Sequence, residues 1–216
     1  MTEERILELF RKAEHFLRVN GFAQEISWCD NRIPFDDVDA QRFLHEYAWV
    51  VFNSGMRNRV IQQKWADICT VFIGFDPQKI VQDESDVRDA ALMVFGHHGK
   101  VEAVIQMAKK LWFGSYMIDI FEKVKEDPLG FLETLPFIGK VTKFHLARNL
   151  GFDYVKPDRH LVRLASKYDM TPSELCNVIH EKTDRRVGTI DLILWRFCEQ
   201  KGQRKLLLTG KGEDSS

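Results

Sequence analysis

No apolar run in this 216-residue sequence approaches the ~20 residues that a helix needs to cross a bilayer. Its opening, Met-Thr-Glu-Glu-Arg, lacks the basic-then-apolar layout of a secretion signal. Cysteine is sparse: Cys29, Cys69, Cys176 and Cys198 form no CxxC pair and no close cluster. Iron–sulfur and structural zinc sites normally use close pairs, and paired disulfides belong to oxidising compartments that nothing else here suggests. The four are read as buried thiols, and neither cofactor nor metal is expected; His97 and His98 have too few neighbouring ligands for a metal role. Net charge is −1, so no overall field draws the chain to nucleic acid. Repeats, low-complexity tracts and period-two alternation are absent too. The expectation is a soluble protein, not secreted, residing in the cytoplasm or nucleoid (the nucleus in a eukaryote), without membrane attachment.

What is present is ordinary globular material, 44% hydrophobic and 29% charged, enough for one domain or two small lobes sharing a cleft. Apolar residues recur at three- and four-residue steps over most of the length. Ile6, Leu7, Phe10, Ala13, Phe16 and Leu17 mark a first helix that ends near Gly21. Residues 22–37 show no period and are read as a loop packed through Trp28 and Phe35. Val38 to about Ser54 is apolar nearly all round and should be central. Further helices are expected over 59–72, from Asp76-Pro77, over 85–96, 100–112 and 117–125, and from Asp127-Pro128. Three more follow Asp158, with Thr171 and Thr189 as N-caps and Glu174 completing a capping box. The fold class is all-α, with nine to eleven helices across residues 1–204 and a polar tail, 205–216, expected to fray.

One stretch carries chemistry: Leu132-Glu133-Thr134-Leu135-Pro136-Phe137-Ile138-Gly139-Lys140-Val141-Thr142-Lys143. A helix from Pro128 cannot pass Pro136. Gly139 allows a backbone geometry closed to other residues, or close approach by another backbone. A second helix starts at once and stops at Gly151. A hairpin this tight leaves N–H groups unsatisfied at the second helix's N-terminus, where the helix dipole helps them hold a phosphate. Lys140 and Lys143 could add charge. Lys140, Lys143, Arg148, Lys156, Arg159, Arg163 and Lys167 face only Asp153 and Asp158 in this region, which suits a local phosphate-binding strip or a solvated helix face. An ordinary αα-corner is the plain alternative. Downstream, Val-Lys-Pro-Asp-Arg-His-Leu-Val-Arg puts Asp158 just ahead of a new helix, about 19 residues past Gly139.

Hairpin and aspartate together resemble the helix-hairpin-helix/Gly-Pro-Asp superfamily of base-excision DNA glycosylases. The hairpin is most similar to the 3-methyladenine DNA glycosylase II branch, and the close match covers about 40 residues. The resemblance implies two helical lobes with a DNA-binding cleft between them, one glycosylase domain over residues 1–204, and a monomer acting on double-stranded DNA that holds a damaged or modified base. It implies that Asp158 is the catalytic carboxylate. Breaking an N-glycosidic bond builds positive charge on the sugar, which a carboxylate can stabilise while orienting or deprotonating water. Asp158 is equally suited to cap its helix.

Bifunctional members carry a Schiff-base lysine two residues after the hairpin glycine. Here that position is Val141, with Lys140 and Lys143 out of register by one and two residues, which points to a monofunctional enzyme that uses water. Phe137 stands where the family has the first hairpin glycine, so it must either crowd the phosphate or pack under the hairpin. The family's monovalent-cation site would fall on the carbonyls of Glu133, Leu135 and Ile138.

Base flipping needs a side chain to fill the vacated stack. The family takes it from the loop after the central helix, here Asn53–Asn58, with Met56 as apolar wedge and Arg57 as partner for the orphaned base or a phosphate. Trp49, Phe52 and Trp195 are candidates for the base pocket, with His145 or Gln62 for hydrogen bonds; core packing is the alternative for each aromatic. The function implied is a DNA N-glycosylase. The alternatives are a glycosylase/lyase for oxidised purines working through Lys140 or Lys143, and a non-catalytic DNA-binding or damage-sensing module.

Overall fold

Helix α1 (Thr2–Leu17) buries one stripe, Ile6, Phe10, Ala13 and Leu17, at steps of four, three and four. It runs into a single wide turn, Arg18–Phe22, where Gly21 at φ 91° breaks the geometry. In chain order there follow α2 (Ala23–Asp30), α3 (Ala40–Asn53), α4 (Asn58–Val71), α5 (Pro77–Gln82), α6 (Glu84–Val94), α7 (His98–Trp112), α8 (Gly114–Glu126), α9 (Pro128–Glu133), α10 (Thr142–Asn149), α11 (Arg159–Ala165), α12 (Pro172–Thr183) and α13 (Val187–Glu199). The computed structural model describes residues 2–156 and 158–200, and the tail expected at 205–216 lies outside them. Among the described residues there is no strand, so the fold is all-α, and no helix is long and apolar enough to cross a membrane.

The chain divides into two compact units. One is discontinuous, joining the residues up to Arg32 with those from Asp153 onward. Its core combines the α1 stripe with Ile26 of α2, Leu161 and Leu164 of α11, Cys176 and Ile179 of α12, and Ile190, Ile193 and Phe197 of α13. The other unit is the continuous segment Ile33–Phe152, which holds α3 to α10. Helix α3 is its axis, burying Phe43, Leu44, Tyr47, Ala48, Val50, Val51 and Phe52. Burying such a side chain fully contributes ~1.5–3 kcal/mol. The one charge buried on this helix, Glu46, accepts a hydrogen bond from Asn149 Nδ2 at 2.9 Å and pairs with Arg42.

Local capping agrees with the sequence at Asp76, which accepts from the amides of Gln78 and Lys79 ahead of Pro77, and at Thr171, where Glu174 completes a reciprocal capping box. Three expectations are corrected. Residues 23–30 form α2 rather than a loop. Only Ile26 and Cys29 of that helix are buried, too few to show a period, and Trp28 is about half exposed, under the Arg32 guanidinium at 3.2 Å. Phe35 does pack, stacked on Phe121 and Phe152. Thr189 does not cap α13. It is fully buried inside the first turn, and the capping acceptor is the Asp153 carboxylate, which takes the amides of Val187 and Gly188 at 3.1 and 2.7 Å. Thirteen α-helices are described rather than nine to eleven, because α2 and several single- or double-turn helices are too short to read from periodicity.

Candidate functional site

Asp127 caps α9 through the Gly130 amide, and Pro128 occupies the first helical position. The helix ends at Glu133, and the turn beyond it is held by N–H donation from Leu135 to Leu132 O (3.2 Å) and from Ile138 to Leu135 O (3.0 Å). Leu132, Leu135 and Ile138 are buried and anchor the turn from inside. The fully buried Tyr47 of α3 donates its hydroxyl to the Pro136 carbonyl at 3.1 Å. Burial pushes that phenol far above its ordinary range, so it remains a donor. Gly139 N–H donates to Thr142 Oγ at 2.8 Å, and Lys143 N–H to Gly139 O at 3.0 Å. Among the described residues nothing accepts from the amides of Lys140, Val141 or Thr142, which stand at the start of α10.

The special backbone geometry of this turn is not at Gly139. That glycine lies outside the left-handed region, and a Cβ placed on it would meet nothing within 4 Å. Phe137 carries the positive φ, 63°. The chain reverses straight after Pro136, and the left-handed residue falls where the buried Leu135 and Ile138 dictate. The Phe137 ring is 39% exposed and lies edge-on to His97, 5.8 Å between centroids. It therefore packs on the N-cap of α7.

The two hairpin lysines differ. Lys140 is exposed, whereas Lys143 is mostly buried and its ammonium is bound to Glu133 Oε2 at 2.5 Å. Val141 is 60% exposed. Of the carbonyls suggested for a cation, that of Leu135 already accepts from Ile138, and no described residue donates to those of Glu133 and Ile138.

Asp158, in the other unit, is half-buried and is the N-cap of α11. Its Oδ1 accepts from the amides of His160 at 2.7 Å and Leu161 at 2.9 Å. Among the described residues Oδ2 accepts no hydrogen bond. One carboxylate oxygen is thus fixed by backbone donors while the other is available. Within the same unit the half-buried Trp195 ring lies 6.0 Å from the Lys156 ammonium, two residues before Asp158, and 4.5 Å from the Arg196 guanidinium.

The loop between α3 and α4 turns through Gly55 at φ 69°, closed by Met56 N–H to Asn53 O at 3.0 Å. Met56 is 41% exposed and Arg57 is exposed, so neither serves the core. Phe52 is fully buried against Phe72 and Phe95, a core position with no face left for a base. Trp49 is half-buried and edge-on to Trp65 at 4.8 Å, His145 is half-buried, and Gln62 is exposed. Trp49 and His145 belong to the continuous unit and Trp195 to the discontinuous one.

Two groups escaped sequence reading, Tyr47 and Lys100. Lys100 of α7 is 3% exposed, and its ammonium donates to Phe52 O at 3.0 Å and Ser54 O at 2.5 Å. Its signal was visible: a lysine in step with Val104, Met107 and Leu111 on an apolar stripe. No protein-family model matches the chain, and comparison with curated proteins and with solved structures finds no significant match.

Proposed function

We propose that the chain is a monofunctional DNA glycosylase of base-excision repair, acting on duplex DNA that contains a damaged or modified base. The observation that carries this reading is the half-committed carboxylate of Asp158: Oδ1 is fixed by two backbone amides and Oδ2 is available. As a nucleotide is turned out of the stack and its glycosidic bond lengthens, positive charge grows on the sugar. A carboxylate already oriented by the start of α11 stabilises that charge without reorganising, and its second oxygen takes a proton from the attacking water.

The hairpin supports the same reading. The amides of Lys140, Val141 and Thr142, with the helix dipole behind them, suit a backbone phosphate, and the exposed Lys140 adds charge without reading sequence. Met56 and Arg57 are exposed in a turn, as a wedge and a partner for the unpaired base require. Val141 and the Glu133-bound Lys143 favour water over a lysine nucleophile.

The test is incubation with duplexes carrying alkylated, oxidised, deaminated or mismatched bases, with abasic product read before and after alkaline cleavage. Release from at least one duplex, with strand scission only after alkali and loss of release in Asp158→Asn, is expected. Salt-dependent binding with no release from any duplex, unchanged by Asp158→Asn, would make the chain a DNA-binding module instead.

A further inference from the structure

Lys100 is held in an expensive place. It sits in the first turn of α7, where the helix dipole disfavours a cation, and it is nearly sealed from water. Burial accordingly draws its ammonium below the usual lysine range. What it gains lies at the ends of other elements. Its ammonium donates to the carbonyls of Phe52 and Ser54, the last turn and C-cap of α3, with only Gly55 between Ser54 and Met56. The same ammonium is 5.9 Å from the ring of Phe137, the left-handed residue of the hairpin turn. His97, three residues earlier, packs its ring edge-on to Phe137 and its Nδ1 accepts the Lys100 amide at 3.3 Å. One buried cation therefore joins the root of the Ser54–Arg57 loop to the Pro136–Gly139 turn within a single unit.

We infer that Lys100 is a positioning residue which holds this loop and this turn at a fixed separation, so that wedge and phosphate grip meet a duplex as one rigid surface. The inference rests on the glycosylase reading for what the two elements do, but not for their being tied together. A helix C-terminus has carbonyls that need donors, and water or a residue of its own turn usually supplies them. Here the donor comes from α7, so displacing the loop must also disturb the contact that faces Phe137.

The test compares the full chain with Lys100→Met, which keeps the aliphatic stem, and Lys100→Arg, which keeps the charge. Backbone hydrogen exchange is measured without DNA. Affinity is measured for a duplex bearing a tetrahydrofuran abasic analogue and for its intact counterpart. For Lys100→Met the expected result is exchange about tenfold faster over residues 53–58 and 136–141, with the rest of 33–152 within about twofold. Preference for the abasic duplex should fall about tenfold while affinity for the intact duplex stays within about threefold, and Lys100→Arg should restore part of both. If Lys100→Met does not fold, Lys100→Gln is judged by the same criteria. Unchanged exchange, exchange raised evenly across 33–152, or failure of both variants to fold overturns the positioning role. A wild-type chain with no abasic preference sinks the glycosylase reading instead, and the exchange pattern still decides whether Lys100 ties the two elements.

Discussion

The Lys143 ammonium on α10 meets the Glu133 carboxylate at the end of α9 at 2.5 Å, so one of the two lysines flanking the lyase register is already engaged across the hairpin, and the other, Lys140, stands one residue out of register. Borohydride in the presence of damaged or abasic duplex should therefore trap no covalent adduct. Lys143→Ala should cost up to about 1 kcal/mol of stability, the usual range for a partly exposed pair. Lys140→Ala should leave stability unchanged, weaken DNA binding evenly across sequences and lower the salt slope by about one. An adduct that disappears in either variant would establish a lysine nucleophile.

Asp158 caps α11 and is proposed to act on the sugar, and one pair of substitutions separates the two roles. Asparagine caps as well as aspartate, so Asp158→Asn should keep its denaturation midpoint within about 0.5 kcal/mol of wild type. Base release should nevertheless fall by about a hundredfold or more. Asp158→Ala should lose the same activity and about 1 kcal/mol of stability besides. Retained release in Asp158→Asn would remove this residue from the chemistry.

At Gly151 a side chain would run into backbone. It ends α10 at φ 97°, with Phe152 N–H to Ala147 O and Gly151 N–H to Arg148 O closing the helix in a Schellman pattern. A Cβ there would lie 2.1 Å from the Ile33 carbonyl oxygen. Gly151→Ala combines left-handed strain with a backbone clash and should cost more than about 2 kcal/mol in chemical denaturation. Gly139→Ala, with open space and an ordinary φ, should cost far less.

The alkaline limb of stability should carry the signature of Cys176. Burial first, and then the Asp191 and Asp153 carboxylates, raise its thiol far above the ordinary 9.0. The folded chain keeps this proton where the unfolded chain releases it, so stability is lost as pH rises above about 9. Tyr47, raised by burial, acts with the same sign above 10.0, whereas Lys100, lowered by burial, acts with the opposite sign. Denaturation midpoints from pH 7 to 10 should fall more shallowly for Cys176→Ala than for wild type, whatever their absolute offset. Parallel slopes would exclude the thiol.

Where sequence and structure agree, the determinant is local. The all-round apolar character of α3, the Asp76-Pro77 start and the Thr171/Glu174 box each lie within one or two turns, and each is where the residues themselves put it. Where they part, the determinant is distant. Asp153 caps α13 from 34 and 35 residues away, and the fully buried Thr189, the best capping residue by type, sits inside the helix. Positive φ falls on Phe137 and not on Gly139 in a turn that the buried Leu135 and Ile138 anchor from inside and that Tyr47, 89 residues before Pro136, holds by the Pro136 carbonyl. At the candidate site, Met56 and Arg57 are as exposed as a wedge requires, whereas Phe52, alike in type to a pocket aromatic, serves the core. Only packing separates an aromatic that faces a ligand from one that faces its own helices.

The discontinuous unit sets an order of events during synthesis. Helix α1 finds its packing partner, α13, at the far end of the chain, with Phe16 edge-on to Phe197 at 5.6 Å. At ~5–20 residues per second a ribosome needs roughly 10–30 s to make the intervening chain. Until α11 to α13 are made, Ile6, Phe10 and Leu17 lack most of the core they enter, while all of Ile33–Phe152 can emerge and close on itself. The α1 stripe is thus the part of the nascent chain that waits longest for its partners.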